Sequence, residues 1–111
     1  MDTRSTYRAI IEQVLSEYAQ TPYAYGDIER QTIFDRDGDH YLLMLVGREG
    51  IRRVHGCLIH VDIVGDKIYI QRDGTEEGVA NDFVRAGILK QQIVLAFRSP
   101  ELRQHTDFAV A

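Results

Sequence analysis

The chemistry-bearing residues of this chain concentrate in one run, His55-Gly56-Cys57-Leu58-Ile59-His60-Val61-Asp62. In an extended strand, residues two apart share a face. His60 and Asp62 would then stand side by side, as two metal ligands or an acid–base pair do. A metal site needs at least a third ligand, and no spacing such as H-E-x-x-H is present. The expectation is a polar pair on a half-exposed sheet face. His55 and Cys57 also share a face in a regular strand, but at roughly 6–7 Å they stand too far apart for two short side chains to bond. Cys57 therefore reads as a buried core thiol rather than an activated nucleophile.

Two other segments imitate sites. Gly74-Thr75-Glu76-Glu77-Gly78 has the look of a glycine-rich loop opening a helix, but a phosphate cradle presents free N–H groups and usually a lysine. Two glutamates in that turn would repel an anion, so the segment reads as a helix start capped by Thr75. Arg48, Arg52 and Arg53 form the one basic cluster, around a hairpin turn. In a regular strand Arg52 and Arg53 point to opposite faces, which argues against a single patch. A contact to an acidic partner or to DNA phosphate through Arg48, Arg52 and Arg53 is kept as a speculative site. The loop tyrosines Tyr23 and Tyr25 join it, because tyrosine is enriched at interfaces. No catalytic residue, metal ligand set or cofactor is expected.

The elements that must carry these residues follow from composition and periodicity. A chain of 111 residues with 44% hydrophobic content fills one core and forms one domain, residues 1–111. Its net charge of −4 runs against a free-standing DNA binder. One cysteine excludes an internal disulfide, and no apolar run reaches membrane-spanning length. Met1-Asp2-Thr3-Arg4 lacks the apolar stretch of a signal peptide, so a cytoplasmic location is expected.

Tyr7, Ile10, Ile11, Val14, Leu15 and Tyr18 form an apolar stripe that predicts a helix over 5–20. Residues 27–35 alternate as a strand, and the turn chemistry of 35–39 follows. Residues 40–46 are apolar on both faces, predicting a central strand covered on both sides, with a turn at 47–50. Residues 51–64 form the longest strand, with Gly56 as the expected bulge. Gly65-Asp66 has glycine first, as a type II′ hairpin prefers, and 67–71 returns antiparallel. A second helix begins at Thr75 and ends at Gly87. A buried strand at 93–97 and a last turn at Ser99-Pro100-Glu101 complete the order. The fold class is α+β: an antiparallel meander of about five strands around a long hairpin, two main helices on one face, and a short C-terminal helix.

Taken together, the motifs resemble the XisI family, the controlling factors for excision of the fdxN element in nitrogen-fixing cyanobacteria. The matching segments include Leu15-Ser16-Glu17-Tyr18-Ala19, Gln31-Thr32-Ile33-Phe34-Asp35, Asp39-His40-Tyr41 and Ile59-His60-Val61-Asp62-Ile63. Arg52-Arg53-Val54-His55-Gly56-Cys57 and Asp73-Gly74-Thr75-Glu76-Glu77-Gly78-Val79-Ala80 are the most specific. The resemblance implies a non-catalytic accessory protein acting beside an XisH-like, nuclease-fold partner in programmed DNA excision. The resemblance leaves open an antitoxin-like neutraliser of such a partner as the alternative, and the hairpin arginines leave open a weak DNA binder. A homo-oligomer is expected, because long strands present edges that need covering.

Overall fold

The computed structural model describes residues 3–21 and 27–111. The elements run α1 (Thr3–Gln20), β1 (Asp27–Asp35), β2 (His40–Glu49), β3 (Arg52–Val64), β4 (Lys67–Asp73), α2 (Val79–Arg85), a 3-10 turn (Lys90–Gln92), β5 (Ile93–Leu95) and α3 (Pro100–Arg103). The sheet order is β1-β2-β3-β4-β5. The first four strands form the expected antiparallel meander. β5 lies parallel to β4, because α2 carries the chain across the sheet between them, as a parallel crossover requires.

The stripe of α1 does what its spacing predicts. Ile11, Val14 and Leu15 are buried, with Tyr7, Ile10 and Tyr18 packed at the margin. They meet Tyr41 and Leu43 of β2, Ile59, Val61 and Ile63 of β3, and Ile68 and Ile70 of β4 in one core. Val79, Ala80 and Phe83 of α2 join the same core, as do Ile93 and Leu95. Both main helices therefore cover one face of the sheet.

Several local expectations are corrected. β2 is not covered on both sides: Tyr41 and Leu43 are buried, whereas Leu42, Met44 and Val46 are only half-buried on the opposite face. Its strand also runs past Gly47 to Glu49, so the turn shrinks to Gly50-Ile51. A Cβ on Gly47 would meet the Asp27 carbonyl oxygen at 2.0 Å, and that close approach of β1 keeps residue 47 in the ladder. The bulge in β3 falls at Leu58 rather than Gly56, since Leu43 pairs with Ile59 while Met44 pairs with Cys57. The Gly65-Asp66 turn keeps its expected form: Gly65 has φ 64°, and Asp66 is not among the positive-φ residues.

The second helix starts four residues later than expected, at Val79 after Gly78 (φ 90°). Thr75 is not its cap. Asp73 wins the competition for the backbone instead: its carboxylate accepts from Thr75 N, Thr75 Oγ1 and Val79 N at 2.9, 2.6 and 2.8 Å. This folds Gly74–Gly78 into a turn held at both ends, with Gly78 N donating to Thr75 Oγ1 and Gly74 N to Leu58 O of β3. The helix end behaves as predicted. Gly87 N donates to Val84 O and Ile88 N to Phe83 O, the paired bonds of a Schellman motif. Ser99 Oγ accepts from Leu102 N to cap α3. Beyond α3, Ala109 forms a parallel bridge with Val94, so the C-terminal segment extends the sheet edge.

A partly buried ion pair ties α1 to the β1–β2 turn. Asp39 is nearly buried and sits at φ 58°. Its carboxylate accepts from Arg8 Nε (2.7 Å), Arg8 Nη2 (3.1 Å) and Tyr41 Oη (2.9 Å). The Arg8 hydrogen bonds hold the Asp39 carboxyl below its ordinary value, outweighing the opposing effect of burial. A depressed carboxyl contributes stability that is complete above the unfolded value, about 3.9, and is lost as pH falls through the folded value. The thermal midpoint should therefore drop as pH is lowered below about 4, and Asp39→Asn should flatten that dependence. An unchanged acid limb in the variant would remove Asp39 from the account.

Candidate functional site on the open sheet face

With both helices on one side, the other side of the sheet is left open over β1 to β4 among the described residues. Cross-strand register assigns its occupants, since directly paired residues share a face. His40 pairs with Asp62, Leu42 with His60, Met44 with Cys57, Val46 with His55 and Arg48 with Arg53. Ile33 pairs with Leu42 from the other side and is 51% exposed. The face thus carries an apolar strip (Ile33, Leu42, Met44 and Val46), a histidine–aspartate cluster at one end and an arginine pair at the other.

The Leu58 bulge makes this arrangement. One extra residue turns His55 and Cys57 to the open face, while Ile59, Val61 and Ile63 remain in the core. Cys57 is accordingly half-buried on the open face, not a core residue. Its thiol donates to Ile59 O at 3.2 Å, and burial pushes its pKa up, the opposite of nucleophile activation.

At the cluster, His40 Nδ1 lies 2.8 Å and His60 Nε2 lies 2.9 Å from the same atom, Asp62 Oδ1. Gln71 Nε2 donates to Asp62 Oδ2 at 3.3 Å. Gln71 is brought there by a second bulge, since His60 pairs with Arg72 and Val61 with Ile70. The hydrogen bond to Asp62 raises the His40 pKa, with the carboxylate charge adding to it. The expectation for His60 and Asp62 was a pair lacking a third member. His40 is that member, contributed by the neighbouring strand. Only the β2–β3 register could have identified it, and that register shifts by one residue at Leu58.

The arginines separate as expected and then regroup. Arg52 turns to the helix-side face and forms a 3.3 Å ion pair with Glu49. Arg48 and Arg53 stand opposite each other on the open face, both exposed. A shallow groove of about 670 Å³ runs along the neighbouring edge of β3, with Arg53, His55, Cys57 and Arg72 in its lining. β4 pairs with β3 only from Ile59 to Val64, which leaves the stretch from Arg52 to Cys57 next to that groove. Tyr23 and Tyr25 lie outside the described residues.

The described residues thus form an α+β domain with its main helices on one face of an open sheet and a mixed apolar and charged surface on the other, where Asp27 and Glu29 of β1 stand beside Arg48 and Val46. The chain belongs to the XisI family: the family model described as XisI protein matches residues 1–110. It is similar to the crystal structure of a XisI-like protein from Anabaena variabilis ATCC 29413, at 35% identity and a TM-score of 0.89, covering 97% of this chain and 99% of that one. It is also similar to the fdxN element excision controlling factor XisI from the same organism, at 29% identity and a TM-score of 0.84, over 99% of this chain and all of the other. No curated protein matches. No described helix is long and apolar enough to cross a membrane.

Proposed function

We propose that this chain is a non-catalytic regulatory protein of DNA element excision that acts by binding an XisH-like, nuclease-fold partner in the cytoplasm through the open face of its sheet. The observation that carries this reading is the strip of Leu42, Met44 and Val46, half-buried and facing away from both helices. Apolar side chains lined up on an uncovered face mark an interaction surface. The neighbouring edge of β3 adds main-chain donors and acceptors that a partner strand could pair with. A relative of the same fold is named an excision controlling factor, which agrees with a regulator rather than an enzyme.

The test is co-expression with an XisH-like protein from the same source, followed by size-exclusion chromatography. A stable complex is expected at micromolar concentration, and Met44→Glu, which buries a charge in the contact, should weaken it by more than about tenfold. No complex, or one indifferent to Met44→Glu, sinks the reading. Toxicity of the partner expressed alone, relieved by this chain, would make the role that of an antitoxin. Direct DNA contact has its own motivating observation, the paired Arg48 and Arg53 on the same face. It would show as a salt-sensitive gel shift that Arg53→Glu removes.

A further inference from the structure

We infer that His40, His60 and Asp62 form a binding site for one divalent first-row transition metal, with zinc the foremost candidate. Nδ1 of His40, Nε2 of His60 and a carboxylate oxygen of Asp62 lie within 4.8 Å of one another. They come from two adjacent strands whose pairing is unbroken from His40–Asp62 to Leu43–Ile59, so the backbone fixes their spacing before any ligand arrives. Both imidazole nitrogens already converge on one oxygen, at 2.8 and 2.9 Å. Three ligands at about 2.0–2.2 Å from a zinc ion stand about 3–3.5 Å from each other, so each imidazole nitrogen need draw back from the Asp62 oxygen by only about half an ångström to admit the ion.

The donor set selects the class of ion. Two imidazoles with one carboxylate suit zinc, cobalt, nickel or copper, whereas magnesium and calcium call for oxygen ligands. The surroundings supply what such sites use to hold their ligands. Gln71 fixes the second oxygen of Asp62 and so orients the carboxylate. The His40 and His60 rings lie edge to face with centroids 6.5 Å apart, and one nitrogen of each is turned to the same Asp62 oxygen. Arg72, the cross-strand partner of His60, is the nearby cation that would oppose the ion, and its Nε is held on the Cys57 carbonyl at 2.7 Å. Three protein ligands leave a fourth position for water or for a group from a docked molecule.

The inference does not rest on the proposed partner, and its test needs none. Full-length chain, freed of any affinity tag and treated with chelator, is titrated with zinc by calorimetry and with cobalt by visible absorption. One equivalent should bind, and His40→Ala, His60→Ala and Asp62→Asn should each weaken binding by at least about tenfold, as loss of a ligand does. His55→Ala and His105→Ala should bind like the parent chain, and magnesium should not compete. Circular dichroism of each variant separates loss of the site from loss of fold. Zinc should also raise the thermal midpoint of the parent chain but not of the folded His40→Ala variant. No binding below about 1 mM zinc, or binding that survives any one of the three substitutions, overturns the inference.

Discussion

Replacing Arg8 with alanine should destabilise the fold by more than loss of an exposed ion pair does, because it strands a carboxylate that is nearly buried. Arg8 and Asp39 have side chains only 24% and 7% exposed, and two hydrogen bonds join them. Removing the guanidinium leaves Asp39 with Tyr41 Oη and with Arg4, whose Nη1 is 4.0 Å away. Neither replaces a paired charge in contact. Helix propensity works in the other direction, since alanine is the better helix former, so any loss measured is a tertiary effect. Chemical denaturation of the single variants and of Arg8→Ala/Asp39→Asn gives the decisive comparison. If the stranded charge is the cause, the double variant should be more stable than Arg8→Ala alone. A cost for Arg8→Ala no greater than that of breaking an exposed surface pair, such as Arg36→Ala against Glu12, would mean the carboxylate is solvated and the account is wrong.

Phe83→Ala should cost about 3–5 kcal/mol, the usual range for emptying a buried aromatic site. The Phe83 side chain is fully buried, and its carbonyl accepts the Ile88 N–H that ends α2. α2 has seven residues, too few to persist without tertiary support. Losing the ring therefore opens a cavity between α2 and the sheet and also loosens the crossover that delivers β5 to β4. At about 4 °C per kcal/mol for a domain of this size, the thermal midpoint should fall by about 15 °C. Val84→Ala, next in the chain but only partly buried, should cost about 1 kcal/mol and serves as the comparison. Equal effects at the two positions would mean that α2 lies on the sheet rather than anchoring into it.

Much of this molecule was legible from local rules. The spacing of Ile11, Val14 and Leu15 gave α1 and its buried face, because a helix period of 3.6 can be counted directly. Gly65, Gly87 and the Ser99-Pro100 pair announced a hairpin, a helix end and a helix start, because each meets a backbone requirement that few other residues meet. The Thr75 cap misread came from a competition invisible at short range. Asp73 sits at the end of β4 with its carboxylate aimed at the loop N–H groups, and a carboxylate outbids a hydroxyl for them. Equal apolar character on the two faces of β2 could not say which face the helices would cover, since Leu42, Leu43 and Met44 would serve either way.

The amino-acid sequence by itself thus determined the kind and order of the main helices and strands and the family to which the chain belongs. The tertiary structure decided which side chains meet. Strand side chains alternate with a period of two, so a single extra residue sends everything beyond it to the opposite face. Without the bulge at Leu58, a continuous register would set His60 opposite Tyr41, toward the helices, and His40 opposite Val61. With the bulge, His40, His60 and Asp62 converge on one oxygen of the open face. The candidate metal site therefore depends on a one-residue register shift that no local pattern in the chain records.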